Sequence, residues 1–160
     1  MKGIVSKVAL GVAGTGMAVA VAAVAIGPRV SDWYDGRHQE QSSYDTGVQA
    51  KSDRRSMPGW LPDNASSVKY LMSTTGDDRL LRATLPEGRL PAGCTNGVPG
   101  KGLHPVPVSL KAGWFPQDVG AKATGTCGHY NVSLHGNQLY AWQDGAAVQA
   151  ALRAEHPAKR

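Results

Sequence analysis

Residues 8–27 read VALGVAGTGMAVAVAAVAIG, twenty positions without a charge. As a helix rising 1.5 Å per residue the run is about 30 Å long, the thickness of a bilayer's hydrocarbon core. Lys2 and Lys7 precede it, and flanking cations favour the cytoplasmic side. Everything after residue 27 is then expected outside the cytoplasm, joined to a single-pass anchor. The same run also fits a cleaved signal peptide. Ala23-Val24-Ala25 has the small-residue cleavage pattern, which would release a secreted chain beginning near Ile26. Length favours the anchor, while the Ala- and Gly-rich composition makes the run only moderately hydrophobic. Small residues four apart (Ala9 and Ala13, Gly16 and Ala20) permit close helix packing, a spacing any Ala-rich segment produces.

Segment 28–58 carries no sustained apolar period and balances five basic against five acidic residues. It is expected to be a flexible tether. Trp33 and Tyr34, just beyond the apolar run, suit the headgroup layer. The remaining 59–160 is one small exported domain, a size at which a staple adds usefully to a thin core.

Its pattern is α+β. Val68, Tyr70 and Met72 alternate toward one side, TTGDD at 74–78 turns about Gly76, and Leu81, Ala83 and Leu85 alternate on the return. Residues 86–122 are rich in Pro and Gly and read as irregular, with AGWFPQDVG at 112–120 carrying Trp114 and Phe115 inward. A second hairpin spans 123–143 about Gly136-Asn137. That turn sets Leu134 opposite Leu139 and Val132 opposite Ala141 on one apolar face. It sets Ser133 opposite Tyr140 and Asn131 opposite Trp142 on the other. The second face is either covered by loop aromatics or Trp60, or exposed as an interaction patch. Asp144 is placed to cap a last helix, 146–155, with Val148, Ala151 and Leu152 on one face. The expectation is four strands in two antiparallel hairpins, with short helices.

Cys94 and Cys127 are the only cysteines. Two cysteines in an oxidising compartment form one disulfide. Closing a loop of about 33 residues is worth on the order of 3–4 kcal/mol by loop entropy. A thiol–base reading of Cys127-Gly128-His129, or a metal set drawn from Cys94, Cys127, His104 and His129, lacks the usual spacings. No metal, cofactor or catalytic residue is therefore assigned: nucleophile elbows, phosphate loops and dinucleotide glycine fingerprints do not occur. His129, Asn131, Ser133 and His135 form a polar row, and alternation alone makes such a row solvated. Asp77-Asp78 beside Gly76 is a turn pair with too few ligands for calcium. Asn64-Ala65-Ser66 and Asn131-Val132-Ser133 are glycosylation acceptors in form only.

The net charge of +5 includes no dense basic block, which argues against a nucleic-acid partner. The expected partners are the bilayer and a protein or cell-wall component. Trp60, Tyr140 and Trp142 are the candidate contact patch of a non-enzymatic envelope protein. Alternatives are an accessory subunit docking through its helix, or an enzyme using the His129–His135 face.

The run WLPDNASSVKYLMSTTGDDRLLRATLPEGRLPAGC, followed by TGTCGHYNVSLHGNQLYAW, resembles uncharacterised membrane-anchored exported proteins of high-GC Gram-positive (actinobacterial) bacteria. In these a WLP-x-x-A opening and a TTG turn precede a paired cysteine. The resemblance covers residues 57–145. It implies a cell-envelope address and a shared fold, and it brings no catalytic residues.

Overall fold

The computed structural model describes residues 38–97 and 107–156. The 8–27 run, Lys2, Lys7, the Trp33-Tyr34 pair and His104 lie outside the described residues. Among the described residues no helix is long and apolar enough to cross a membrane.

Both hairpins form. β2 (Ser66–Ser73) and β3 (Arg79–Thr84) flank the TTGDD turn. β6 (Tyr130–His135) and β7 (Gln138–Gln143) pair about Gly136-Asn137, with Leu134 opposite Leu139 and Val132 opposite Ala141. Gly136 takes φ +59°, the left-handed conformation a tight hairpin turn demands.

The sheet is larger than four strands. Seven strands line up as β1-β2-β3-β7-β6-β5-β4, every neighbour antiparallel. β3 pairs with β7 and so fuses the two hairpins through Leu80↔Trp142 and Ala83↔Leu139. β4 (Cys94–Asn96) and β5 (Gly125–Cys127) are only three residues each, too short for an alternation signal.

The tether expectation is corrected. The chain divides after His38, and β1 (Gln39–Thr46) and α1 (Gly47–Asp53) belong to the folded unit. β1 reads QEQSSYDT, polar on both sides, so it carries no apolar period. Its ladder to β2 and a polar clamp hold it instead. Arg54 Nε donates to Ser42 Oγ at 3.0 Å and to Tyr44 Oη at 3.1 Å, while its Nη2 pairs with Glu40. Tyr44 Oη donates to Asp53 at 2.7 Å. That guanidinium bond holds the Glu40 carboxyl below its ordinary range. Thr46 caps α1 through Gln49 N.

The sheet is covered on both faces. On one, Val68, Tyr70, Leu81, Ala83, Val132, Leu139 and Ala141 pack against Ala50, Met57, Leu61 and Ala65. On the other, Leu71, Leu80 and Trp142 pack under Leu110, Phe115, Val119 and Ala123. The second cover ends in a 3-10 helix, Gln117–Lys122. The last helix, α2 (Gly145–Glu155), is capped by Asp144, whose carboxylate accepts from Ala147 N at 2.8 Å. Of its predicted apolar face only Val148 is buried, and Leu152 is 37% exposed.

Cys94 and Cys127 sit directly opposite each other across β4 and β5 and are joined as a disulfide, as expected. The bond ties the cover segment's two ends together at one edge of the sheet.

Candidate functional site

Trp60, Tyr140 and Trp142 do not form one patch. Alternation puts Tyr140 and Trp142 on the face under the 107–123 cover, and Trp60 on the opposite side. Trp142 is 1% exposed. The Phe115 ring meets Trp142 and Tyr140 edge-on, with centroids at 6.4 and 5.6 Å. The loop aromatics therefore provide the cover, and burial removes Trp142 from any contact surface.

Trp60 remains half-buried on the other side, edge-on to Tyr130 at 5.5 Å. It lines a groove of about 520 Å³, a volume typical of small-ligand sites. One wall is the turn series Gly59–Asn64 and the other is Pro86–Ala92, with Leu61 and Leu85 buried beneath. The first wall is built by consecutive turns, Leu61 N to Pro58 O and Ala65 N to Pro62 O, each 3.1 Å. α1 abuts it so closely that a Cβ on Gly47 would lie 1.9 Å from the Pro62 carbonyl oxygen. Only glycine fits there. The second wall is fixed at Leu85, whose N–H donates to Asn137 O at 2.7 Å, and runs on into Cys94 of the disulfide.

The rim charges are neutralised within the groove. Lys51 pairs with Asp63 and Arg89 with Glu87. Among the described residues no hydrogen bond engages the Trp60 indole N–H. The groove thus offers an apolar aromatic wall and a balanced rim. Its second wall was missed in the sequence because residues 86–92 carry no periodicity. The P-E-G turn at 86–88 was the local signal for a fixed loop.

The polar row on β6 is a structural device. His129 lies in the turn before β6, not on the strand. Ser133 is fully buried, and its hydroxyl sits 2.8 Å from Lys122 O and 3.0 Å from His135 Nε2. A serine has one proton. If it is donated to the Lys122 carbonyl, His135 must donate to Ser133 and cannot take its proton. The arrangement anchors the end of the 3-10 helix to the sheet. Nearby, the Lys122 ammonium holds the Asp118 carboxyl below its ordinary range.

Asp77 and Asp78 join the first hairpin turn to α2. Asp78 Oδ1 accepts from Gly145 N at 3.0 Å, and Asp77 Oδ2 accepts from Gln149 Nε2 at 2.6 Å. The cysteines are consumed by the disulfide, which removes both the thiolate and the metal readings built on them. Among the described residues no three His, Cys, Asp or Glu side chains are grouped to hold a metal. Asn64 is exposed on the groove wall, whereas Asn131 is half-buried within β6. Burial pushes the Tyr130 hydroxyl's ionisation well above the ordinary phenol range, with Tyr70 beside it adding to the shift.

No family model, curated protein or solved structure matches this chain.

Proposed function

We propose that this chain is a non-enzymatic, membrane-anchored envelope protein whose exported domain binds a partner through the Trp60 groove. The address rests on the uncharged 8–27 run behind Lys2 and Lys7, and on a disulfide, which persists in oxidising compartments. The observation that carries the binding reading is the groove itself. An aromatic wall with an unengaged N–H faces a proline-lined wall across a cavity of about 520 Å³. Tryptophan in such a setting combines a large apolar contact with a directed hydrogen bond. Because Lys51 and Arg89 are already paired, the occupant is a segment of low net charge, presenting an apolar face to Trp60 and an acceptor to its indole nitrogen.

The non-enzymatic reading is supported by Ser133, which is fully buried and engaged by Lys122 O and His135.

The test is photocrosslinking from position 64 of the full chain in intact envelopes, with and without Trp60→Ala. Trp60 is only half-buried, so the variant should keep the wild-type far-UV spectrum and a cooperative unfolding transition. A discrete adduct that disappears in the variant is expected. An adduct of equal yield in the variant, or none in either protein, overturns the groove as the contact surface. Cleavage of the domain by protease added to intact cells tests the topology separately, and full protection would overturn export.

A further inference from the structure

The opposite face of the sheet carries an arrangement that costs stability and that the Trp60 groove does not use. One cross-strand row runs Ser43, Lys69, Arg82, Tyr140, Ser133, from β1 to β6. Lys69 and Arg82 are therefore directly opposed on neighbouring interior strands. Like charges in that position repel and are destabilising. Among the described residues neither forms an ion pair. Asp45, the next residue of β1 on that face beyond Ser43, makes none either.

Arg82 is also under-satisfied. Among the described residues its buried Nε has no hydrogen-bond partner. Its Nη1 reaches only the Trp114 carbonyl, at 3.5 Å, the far limit of a hydrogen bond. Buried polar groups are almost always paired, and an orphan one carries a desolvation cost. Tyr140 next in the row is half-buried, and among the described residues no hydrogen bond engages its hydroxyl. The row follows the border of the 107–123 cover. Trp114 Nε1 donates to Gln41 of β1 at 3.0 Å, and Phe115 meets Tyr140 edge-on. Two cations without an ion-pair partner among the described residues, one of them the under-satisfied Arg82 guanidinium, and the Tyr140 phenol thus share one cross-strand row at the edge of an aromatic layer.

We propose that Lys69, Arg82 and Tyr140 form an oxyanion site that takes a carboxylate or phosphoryl group. An anion between Lys69 and Arg82 converts their repulsion into two attractions. The guanidinium fork matches either group in a paired geometry, and the phenol supplies a further donor. The site is independent of the Trp60 groove, which lies across the sheet and has no unpaired charge.

The experiment follows thermal unfolding of the full chain in non-ionic detergent, with sodium phosphate, sodium acetate or sodium chloride at one fixed ionic strength. Phosphate or acetate should raise the midpoint over chloride by about 5 °C at a tenfold excess over the dissociation constant. The two arms separate a phosphoryl from a carboxylate ligand, and a response to either supports the site. Lys69→Gln should leave the midpoint in chloride equal or higher, since it removes repulsion, and should abolish the response. Arg82→Lys and Tyr140→Phe, which keep the charge and the ring, should weaken it. A wild-type midpoint indifferent to both anions overturns the proposal. So does an undiminished response in Lys69→Gln, or a lower midpoint of that variant in chloride, which would make Lys69 a structural residue.

Discussion

Replacing Cys94 and Cys127 together by Ala gives the most quantitative check on this architecture. The bond closes 33 residues. The chain-entropy relation assigns such a loop about 12 cal/mol/K, or about 3.7 kcal/mol at 25 °C, taken from the unfolded state. The folded unit has roughly 120 residues, so its unfolding entropy near the midpoint is about 0.25 kcal/mol/K, and the midpoint should fall by about 15 °C. The closed loop is also the second cover. It carries Leu110, Phe115, Val119 and Ala123 onto Leu80 and Trp142. Without the bond its start is held at that edge by the three-residue pairing of β4 with β5 and the Gly97 N–H bond to Thr124 O. Urea denaturation of both proteins, followed by tryptophan fluorescence and by far-UV circular dichroism, measures the loss directly. The two probes should coincide, because cover and sheet share one core. A loss below about 1 kcal/mol would refute the reasoning, showing that the unfolded chain is already restricted or that the cover is held by its packing alone. A fluorescence transition preceding the far-UV one would equally refute the single cooperative unit.

Phe115→Ala should destabilise by about 3–5 kcal/mol, because it empties the space between Tyr140 and Trp142; equilibrium denaturation with the near-UV spectrum checks it. Gly47→Ala should cost at least about 1–3 kcal/mol, since the new methyl meets the Pro62 carbonyl oxygen, which no side-chain rotation can move aside; a midpoint within a degree of wild type would contradict the close approach. The clamp on β1 should be pH-sensitive. The Glu40 carboxyl titrates below its ordinary value of 4.5 when folded, so its contribution is full above that value and lost as pH falls through the depressed one. Hydrogen-exchange protection of amides 39–46 should fall selectively in acid, and Glu40→Gln should show the same loss at neutral pH.

How much of this was legible follows the length of each periodic segment. β2, β3, β6 and β7 each carry six or more residues with alternate positions apolar, and the second hairpin's register came out pair for pair as expected. The turn glycine at 136 and the capping Asp144 are local chemistry and were readable for that reason. β1 was not readable, because its partners are a ladder and the Arg54 clamp, and neither leaves an apolar trace. β4 and β5 were too short to alternate. The contact patch failed for a different cause. Trp60 lies far from Tyr140 and Trp142 in sequence, and which side of the sheet it covers depends on the path of 54–65.

By itself the sequence determined two hairpins, the facing residues of the second, one cysteine pair and a long uncharged N-terminal run. Those depend on spacings within about twenty residues or on there being only two cysteines to join. Only the tertiary structure decided that β3 pairs with β7, that β1 joins the sheet, and that Trp142 is buried while Trp60 lines a groove. Each of these is a contact between segments whose separation along the chain carries no periodic signal. It is settled by which faces can be covered together.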